Sequence, residues 1–231
     1  MNSNLAKQCV AEFVGTFALI FVGIGAIANN SSPAAGMGLL GVALAHGLTI
    51  AVMVSATGAI SGGQLNPAVT FGLLVGGQMD VKKSVAYWVS QLAGATAAAY
   101  LCSMLIGMSK VANGTPDIGM GAGGGAIVSM RQAIVIEAVL TFFLVFVVYG
   151  SAVDVRAPKI GGLAIGLTVA LDILFGGPLT GAAMNPARTF GPALASGHWN
   201  NHVVYWIGPL IGGAAAGLIY GRFLIKESKP A

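Results

Sequence analysis

The chain has 231 residues, 56% of them hydrophobic and only 8% charged, with 35 glycines and a formal charge of +4 at neutral pH. This composition and the mean hydropathy of +0.84 exclude a water-soluble globular domain. The positive charge is no nucleic-acid footprint either, because the basic residues are scattered through short connections between apolar runs.

Crossing a bilayer takes about 20 apolar residues. In chain order, runs of that length fall at 5–28, 38–58, 83–106, 130–152, 160–177 and 202–224. The first is too long for the apolar core of a cleavable leader and reads as a span. Two further apolar runs, 66–76 and 185–195, lie between helix breakers. At 1.5 Å per residue each reaches roughly 15 Å, half of the hydrocarbon core. Entering from opposite faces, two such half-helices make a seventh, broken span. The outer connection 107–129 is rich in glycine, and its sequence is open between an ordered and a flexible loop. Cys9 and Cys102 both sit in apolar runs and read as buried small residues, not as a disulfide.

The chain repeats itself. Gly58 to Gly72 matches Gly177 to Gly191, each copy centred on Asn-Pro-Ala: Asn66-Pro67-Ala68 and Asn185-Pro186-Ala187. Glu12 parallels Glu137, Leu44-Ala45-His46-Gly47 parallels Leu163-Ala164-Ile165-Gly166, and Tyr87-Trp88 parallels Tyr205-Trp206. Each half, about 5–106 and 130–224, then holds three spans and one half-helix. An odd number of spans per half requires the second copy to be inverted. Lys7, Lys82, Lys83, Arg156, Lys159, Arg222, Lys226 and Lys229 fall on the side of the termini, against Lys110 and Arg131 opposite, so both termini are expected in the cytoplasm.

Asn is a good N-cap and Pro suits the first helical position. The Asn side-chain oxygen accepts first-turn N–H groups, which leaves its NH₂ to face the axis. Two inverted half-helices meet N-terminus to N-terminus, each carrying about half a positive charge. Cations and hydronium are repelled there, while Asn66 and Asn185 donate to a passing oxygen. The residues before each motif, Ser61, Gly62, Gly63, Gln64 and Leu65 in one half and Thr180, Gly181, Ala183 and Met184 in the other, are expected to be extended, with carbonyls lining a watery cavity. Gly62, Gly63 and Gly181 supply the backbone freedom. A single Asn-Pro would mark a turn; two in matched inverted contexts do not. Arg188 is the one basic residue expected well inside the membrane, which makes it a functional candidate, with a structural ion pair as the rival.

The paired Asn-Pro-Ala boxes, the arginine directly after the second, Ser61-Gly62-Gly63 and the Glu12/Glu137 pair together resemble the aquaporin, or major intrinsic protein, family of water and small-solute channels. The resemblance covers essentially the whole chain. It implies an all-α membrane protein, one hourglass-shaped channel domain of six transmembrane helices and two re-entrant half-helices, assembled as a homotetramer in the lipid bilayer. It places Arg188 in an aromatic/arginine selectivity filter, with His46, Ile173 and Ala182 at the remaining positions, and makes Glu12 and Glu137 loop anchors. Strict water channels of the family usually have Phe and His where this chain has His46 and Ile173. The set here is more similar to plant vacuolar-membrane aquaporins, some of which pass ammonia, urea or hydrogen peroxide. Glycerol facilitators, the runner-up, carry Asp and Lys at the positions of Thr189 and Ala193, and Pro and an aliphatic in place of Tyr205-Trp206. Some relatives have a mercury-reactive cysteine at the position of Ala182.

The remaining candidates are weaker. A secondary transporter would need titratable groups at the half-helix junction. No enzyme constellation is present: His198 and His202 stand beside Trp199 without acidic or thiol partners in the sequence around them. No cofactor or metal is expected, and no nucleic acid. His46, with an ordinary pKa of about 6.5, is the candidate for pH dependence. Asp172 has no counterpart in the first half and could bond Arg188, the outer loop or another subunit. Short tails and loops give the expectation of a prokaryotic inner membrane.

Overall fold

A computed structural model describes residues 3–32, 36–119, 126–158 and 160–225. Within it, helices of spanning length and apolar composition number six. They are α1 (Ser3–Asn30), α2 (Gly38–Ser61), α4 (Val81–Ile106), α6 (Met130–Val148, continued by a π-helical turn over Tyr149–Val153), α7 (Gly161–Thr180) and α9 (Val204–Ala216, continued as π-helix over Gly217–Leu224). Two short helices, α3 (Pro67–Val75) and α8 (Pro186–Ser196), begin at the proline of each Asn-Pro-Ala. The outer connection holds one more helix, α5 (Met108–Gly114), which the sequence reading had left as loop. Its residues 120–125 lie outside the described residues, as do Lys159, Lys226 and Lys229.

Local chemistry sets these ends. Asp80 accepts a hydrogen bond from the Lys83 N–H at the start of α4, and Ser129 with Gln132 forms a reciprocal capping box on α6. Gly62 (φ 93°) and Gly181 (φ 79°) end α2 and α7 in the left-handed region, which a side chain would strain. Helix α3 is held at both ends: Asn66 caps its start, while Tyr149 Oη donates to Gly72 O and Arg222 Nε to Val75 O near its finish. A cation at a helix C-terminus opposes the negative end of its dipole.

Small residues let the helices close on one another. A Cβ at Gly47 or at Gly166 would strike the other's carbonyl, so α2 and α7 cross backbone to backbone there. Gly94 stands likewise against the Phe13 carbonyl of α1, and Gly212 against the Ala138 carbonyl of α6, which gives the two halves the same packing contact. The outward faces carry exposed Val10, Val52, Val89, Leu171, Phe175 and Ile211, a surface suited to lipid and costly in water.

The two segments between a long helix and a half-helix are tied down by buried acids. Glu12 accepts from the Ser61 hydroxyl (2.6 Å), the N–H groups of Gln64 (3.0 Å) and Leu65 (2.6 Å), and the Gln91 amide (2.8 Å). Glu137 accepts from the Thr180 hydroxyl (2.7 Å) and the N–H groups of Ala183 (2.9 Å) and Met184 (2.7 Å). Tyr87 and Tyr205 donate to Ser61 O and Thr180 O, each at 2.8 Å. Glu137→Ala strands one hydroxyl and two N–H groups, each worth about 1–3 kcal/mol when buried unpaired. It should lower the thermal unfolding midpoint of detergent-solubilised protein well below that of wild type, and further than Glu137→Gln does. Equal midpoints for the three proteins would contradict this anchoring.

Candidate functional site

The half-helices meet head to head. Asn66 Oδ1 accepts from Ala68 N (2.8 Å), and Asn185 Oδ1 from Ala187 N (3.0 Å) and Arg188 N (3.3 Å). Each NH₂ then reaches across to the other half: Asn66 Nδ2 donates to Met184 O at 2.8 Å, and Asn185 Nδ2 to Leu65 O at 2.9 Å. The expectation that the whole NH₂ faces the axis is therefore corrected. One N–H of each asparagine joins the two loops, and one remains for the cavity.

The loops also differ from the extended strands expected. Ser61 and Thr180 are the last residues of α2 and α7, and the stretches between run from 62 to 65 and from 181 to 184. They fold through repeated left-handed residues, at Gly62, Gly63 and Gly181 and also at Leu65 (φ 54°), Ala182 (φ 44°) and Met184 (φ 52°). Non-glycine residues rarely sit there, and strain of this kind collects at functional sites where the surroundings fix it. Here the bonds to Glu12, Glu137 and the two asparagines fix it.

Beside the Asn66–Asn185 junction lies a narrow cavity. One wall is apolar, built from Ile50, Val54, Val69, Leu144, Val148, Ile165 and Val169; the other presents Gly63, Gln64, Ala183 and Met184 with the two asparagines. His46, Ile173, Ala182 and Arg188 all line this cavity. Ser61, Gly62, Leu65, Thr180 and Gly181 do not, and neither do Pro67, Ala68, Pro186 and Ala187, whose part is to shape the helix starts. A larger vestibule of about 1050 Å³ lies next to it, and Ile173 and Arg188 line both spaces. The passage between cavity and vestibule thus runs past these two side chains.

Arg188 and His46 are bonded to each other. His46 Nδ1 lies 2.8 Å from Val42 O and so carries the proton; Nε2 lies 3.3 Å from Arg188 Nη2, a donor, and so accepts. Among the described residues Arg188 makes no ion pair, which removes the salt-bridge rival, and its Nε and Nη1 have no protein partner. Both are buried, so the protein leaves two arginine donors unsatisfied beside the cavity. Asp172 is buried but does not line the cavity, makes no bond to Arg188, and leaves Oδ2 without a partner. The span at 5–28 is α1, but no residue of it is marked by the sequence as lining the cavity, although Leu19 does; an apolar residue in an apolar helix gives no signal of its own.

The vestibule wall is fastened across the outer surface. Gly119 N donates to Leu179 O (2.8 Å), and Asp117 accepts from Ile118 N (2.7 Å), Asn201 Nδ2 (2.8 Å) and His198 Nε2 (2.9 Å). His198 therefore does have an acidic partner, contrary to the sequence reading; it comes from far along the chain. Among the described residues no three His, Cys, Asp or Glu side chains converge as a metal site requires.

The model of the Major intrinsic protein family matches residues 1–220. The chain is 45% identical to Aquaporin TIP2-1 of Arabidopsis thaliana, over 96% of this chain and 89% of that protein. It is 46% identical to Aquaporin TIP4-1 of the same plant, over 96% and 87%. Its fold is similar to the X-ray structure of the aquaglyceroporin from Plasmodium falciparum, with a TM-score of 0.81 and 25% identity over 95% of this chain and 97% of that one. The chain belongs to the major intrinsic protein family, the aquaporins: it is a multi-pass membrane channel of the water-channel class.

Burial alone would raise the Asp117 pKa, but the bonds from Asn201, Ile118 and His198 outweigh it and hold the group below its ordinary 3.8. A lowered folded value means that the stabilisation is present above the unfolded pKa and is lost as pH falls through the folded one. Asp117→Asn should therefore unfold at a lower temperature than wild type at neutral pH. The gap should close on acidification below the lowered pKa; a gap unchanged at the acid end would contradict it.

Proposed function

We propose that water crosses this protein in single file along the cavity, past Asn66 and Asn185 and out between Ile173 and Arg188, while protons and ions are refused. The observation that carries the reading is the reciprocal pair of bonds, Asn66 to Met184 O and Asn185 to Leu65 O, because it sets two helix N-termini against one point of the cavity wall. Their positive ends oppose a cation there. The apolar wall facing them offers water no bond to hold it, and the free N–H of each asparagine orients its oxygen.

His46, Ile173, Ala182 and Arg188 form the selectivity filter in this reading. Arg188 supplies two free donors and a fixed charge, Ile173 and Ala182 give it a small apolar side, and His46 holds the arginine in place. With the smaller imidazole of His46 in place of a phenylalanine, and Ile173 in place of a histidine, the gap suits ammonia, urea or hydrogen peroxide as well as water. Glycerol transport is the second reading, favoured by the likeness to an aquaglyceroporin. Against it stand Thr189, whose hydroxyl is bonded to Pro186 O at 2.9 Å, and the fully buried Ala193, where facilitators carry charges. The exposed apolar faces suit a homotetramer in the bilayer, with one pore per copy. Lys7, Lys82, Lys83, Arg156 and Arg222 support cytoplasmic termini. The two Arabidopsis thaliana relatives are plant proteins, which weighs against the prokaryotic inner membrane expected from the tails.

Stopped-flow light scattering on proteoliposomes tests this. Water permeability should far exceed that of empty liposomes and scale linearly with the osmotic gradient, with ammonia, urea and hydrogen peroxide ahead of glycerol. Saturable or gradient-coupled uptake would support a transporter instead. Mercuric ion should leave the wild type almost unaffected, since Ala182 offers no thiol, and Ala182→Cys should acquire a block that a reducing thiol reverses. Strong block of the wild type would mean that Cys9 or Cys102 reaches the pore.

A further inference from the structure

The four filter residues come from α2, α7, the loop 181–184 and α8, and none from α1. Yet α1 lies against them: Leu19, Ile20, Gly23 and Ile24 line a small space together with His46 and Arg188. A Cβ built on Gly23 would lie 2.5 Å from His46 Nε2, 3.0 Å from Cδ2 and 3.2 Å from Cε1, and all three of its nearest atoms belong to that imidazole. The glycines at helix crossings, Gly47, Gly94, Gly166 and Gly212, face backbone carbonyls instead. Gly25, two residues further along α1, faces open space. Gly23 alone among these is bare in front of a cavity-lining side chain.

We infer that Gly23 is a specificity-determining residue of this channel: the missing side chain on α1 sets where the His46 ring stands, and through it the width of the passage at Arg188. This rests on reading the cavity as the conducting path. The ring is fixed at three places, by Val42 O on Nδ1, by Arg188 Nη2 on Nε2, and by the bare Cα of Gly23 along its edge. Helix α1 has little freedom to retreat. Its Gly15 is closed on by the Leu65 side chain, its Phe13 carbonyl by Gly94, and its Glu12 holds four donors, two from the loop and one each from α2 and α4. The His46 ring, by contrast, turns about two side-chain torsions. Ordinary contact begins near 3.4 Å, so a methyl group at position 23 drives the ring about 1 Å away from α1. On that side lies the space bounded by Ile173, Ala182 and Arg188. The passage narrows, and the bond to Arg188 is disturbed at the same time. A pore sized near a water molecule loses its larger solutes first.

The test compares wild type, Gly23→Ala, Gly25→Ala, His46→Ala and the Gly23→Ala/His46→Ala double variant in proteoliposomes at equal reconstituted amounts. Water and urea permeability are read by stopped flow, and the ¹⁵N resonances of the His46 imidazole are recorded alongside. Gly23→Ala should cut urea permeability by about tenfold and water by about threefold. Gly25→Ala should match wild type, and in the His46→Ala background the Gly23 effect should disappear. If wild type passes water without urea, the water values decide by the same comparison. Unchanged permeability in Gly23→Ala, or an equal loss with and without His46, overturns the inference. Wild-type flux no greater than empty liposomes refutes the function proposed for the cavity. The ¹⁵N data then decide the steric claim: a His46 shift in Gly23→Ala but not in Gly25→Ala upholds it, and no shift refutes it.

Discussion

Two stretches of non-helical backbone, 62–65 and 181–184, sit inside a bundle whose outer face suits lipid, and every polar group on them must find a partner or face the cavity. That requirement organises the site. Glu12 and Glu137 take the inward N–H groups, Tyr87 and Tyr205 take the carbonyls at the helix ends, and the two asparagines take one carbonyl of the opposite loop. What is left unpaired is a short line of carbonyls, one N–H on each asparagine, and the two free nitrogens of Arg188. The surface proposed to conduct is thus the remainder of a hydrogen-bonding problem that the rest of the fold solves. A buried carboxylate would be costly without partners; Glu12 receives four donors and Glu137 three.

Symmetry divides the work. Residues that repeat between the halves, the Asn-Pro-Ala boxes, the glutamates, the tyrosines and Gly94 with Gly212, build the scaffold. The residues proposed as the filter are those that break the repeat. Arg188 corresponds to Val69, His46 to Ile165, Ile173 to Val54 and Ala182 to Gly63, and all eight line the cavity. One end of the path therefore carries a charge and an imidazole, while the matching positions of the other half are apolar or bare. A single charged ring of residues is enough to discriminate, and a second would add another desolvation step for every solute. Gly23 belongs with this second group in effect, although it is silent in the sequence.

Most of the architecture was legible because membrane spans and half-helices announce themselves by length, and because Asn-Pro in duplicate has only one economical meaning. Glu12 and Glu137 were readable through their repetition. The details that escaped depend on approach in space. The cross-bonds of the asparagines need the other loop, the His198–Asp117 pair joins residues from far-separated connections, and the left-handed Leu65, Ala182 and Met184 carry no sequence mark of the kind glycine gives. The contribution of α1 to the filter escaped for the same reason. Glycine in a glycine-rich helix looks like packing until the atom it faces is known. Asp172 is buried and partly unpartnered, and nothing in the structure explains its charge.

The junction of two helix N-termini at Asn66 and Asn185 should conduct water while refusing protons. Paired measurements on one batch of proteoliposomes address it directly, with osmotic water flux from light scattering and proton flux from a trapped pH-sensitive dye under an imposed pH gradient. Water permeability should be far above that of empty liposomes, with proton permeability indistinguishable from theirs. Proton flux rising in step with water flux would contradict it.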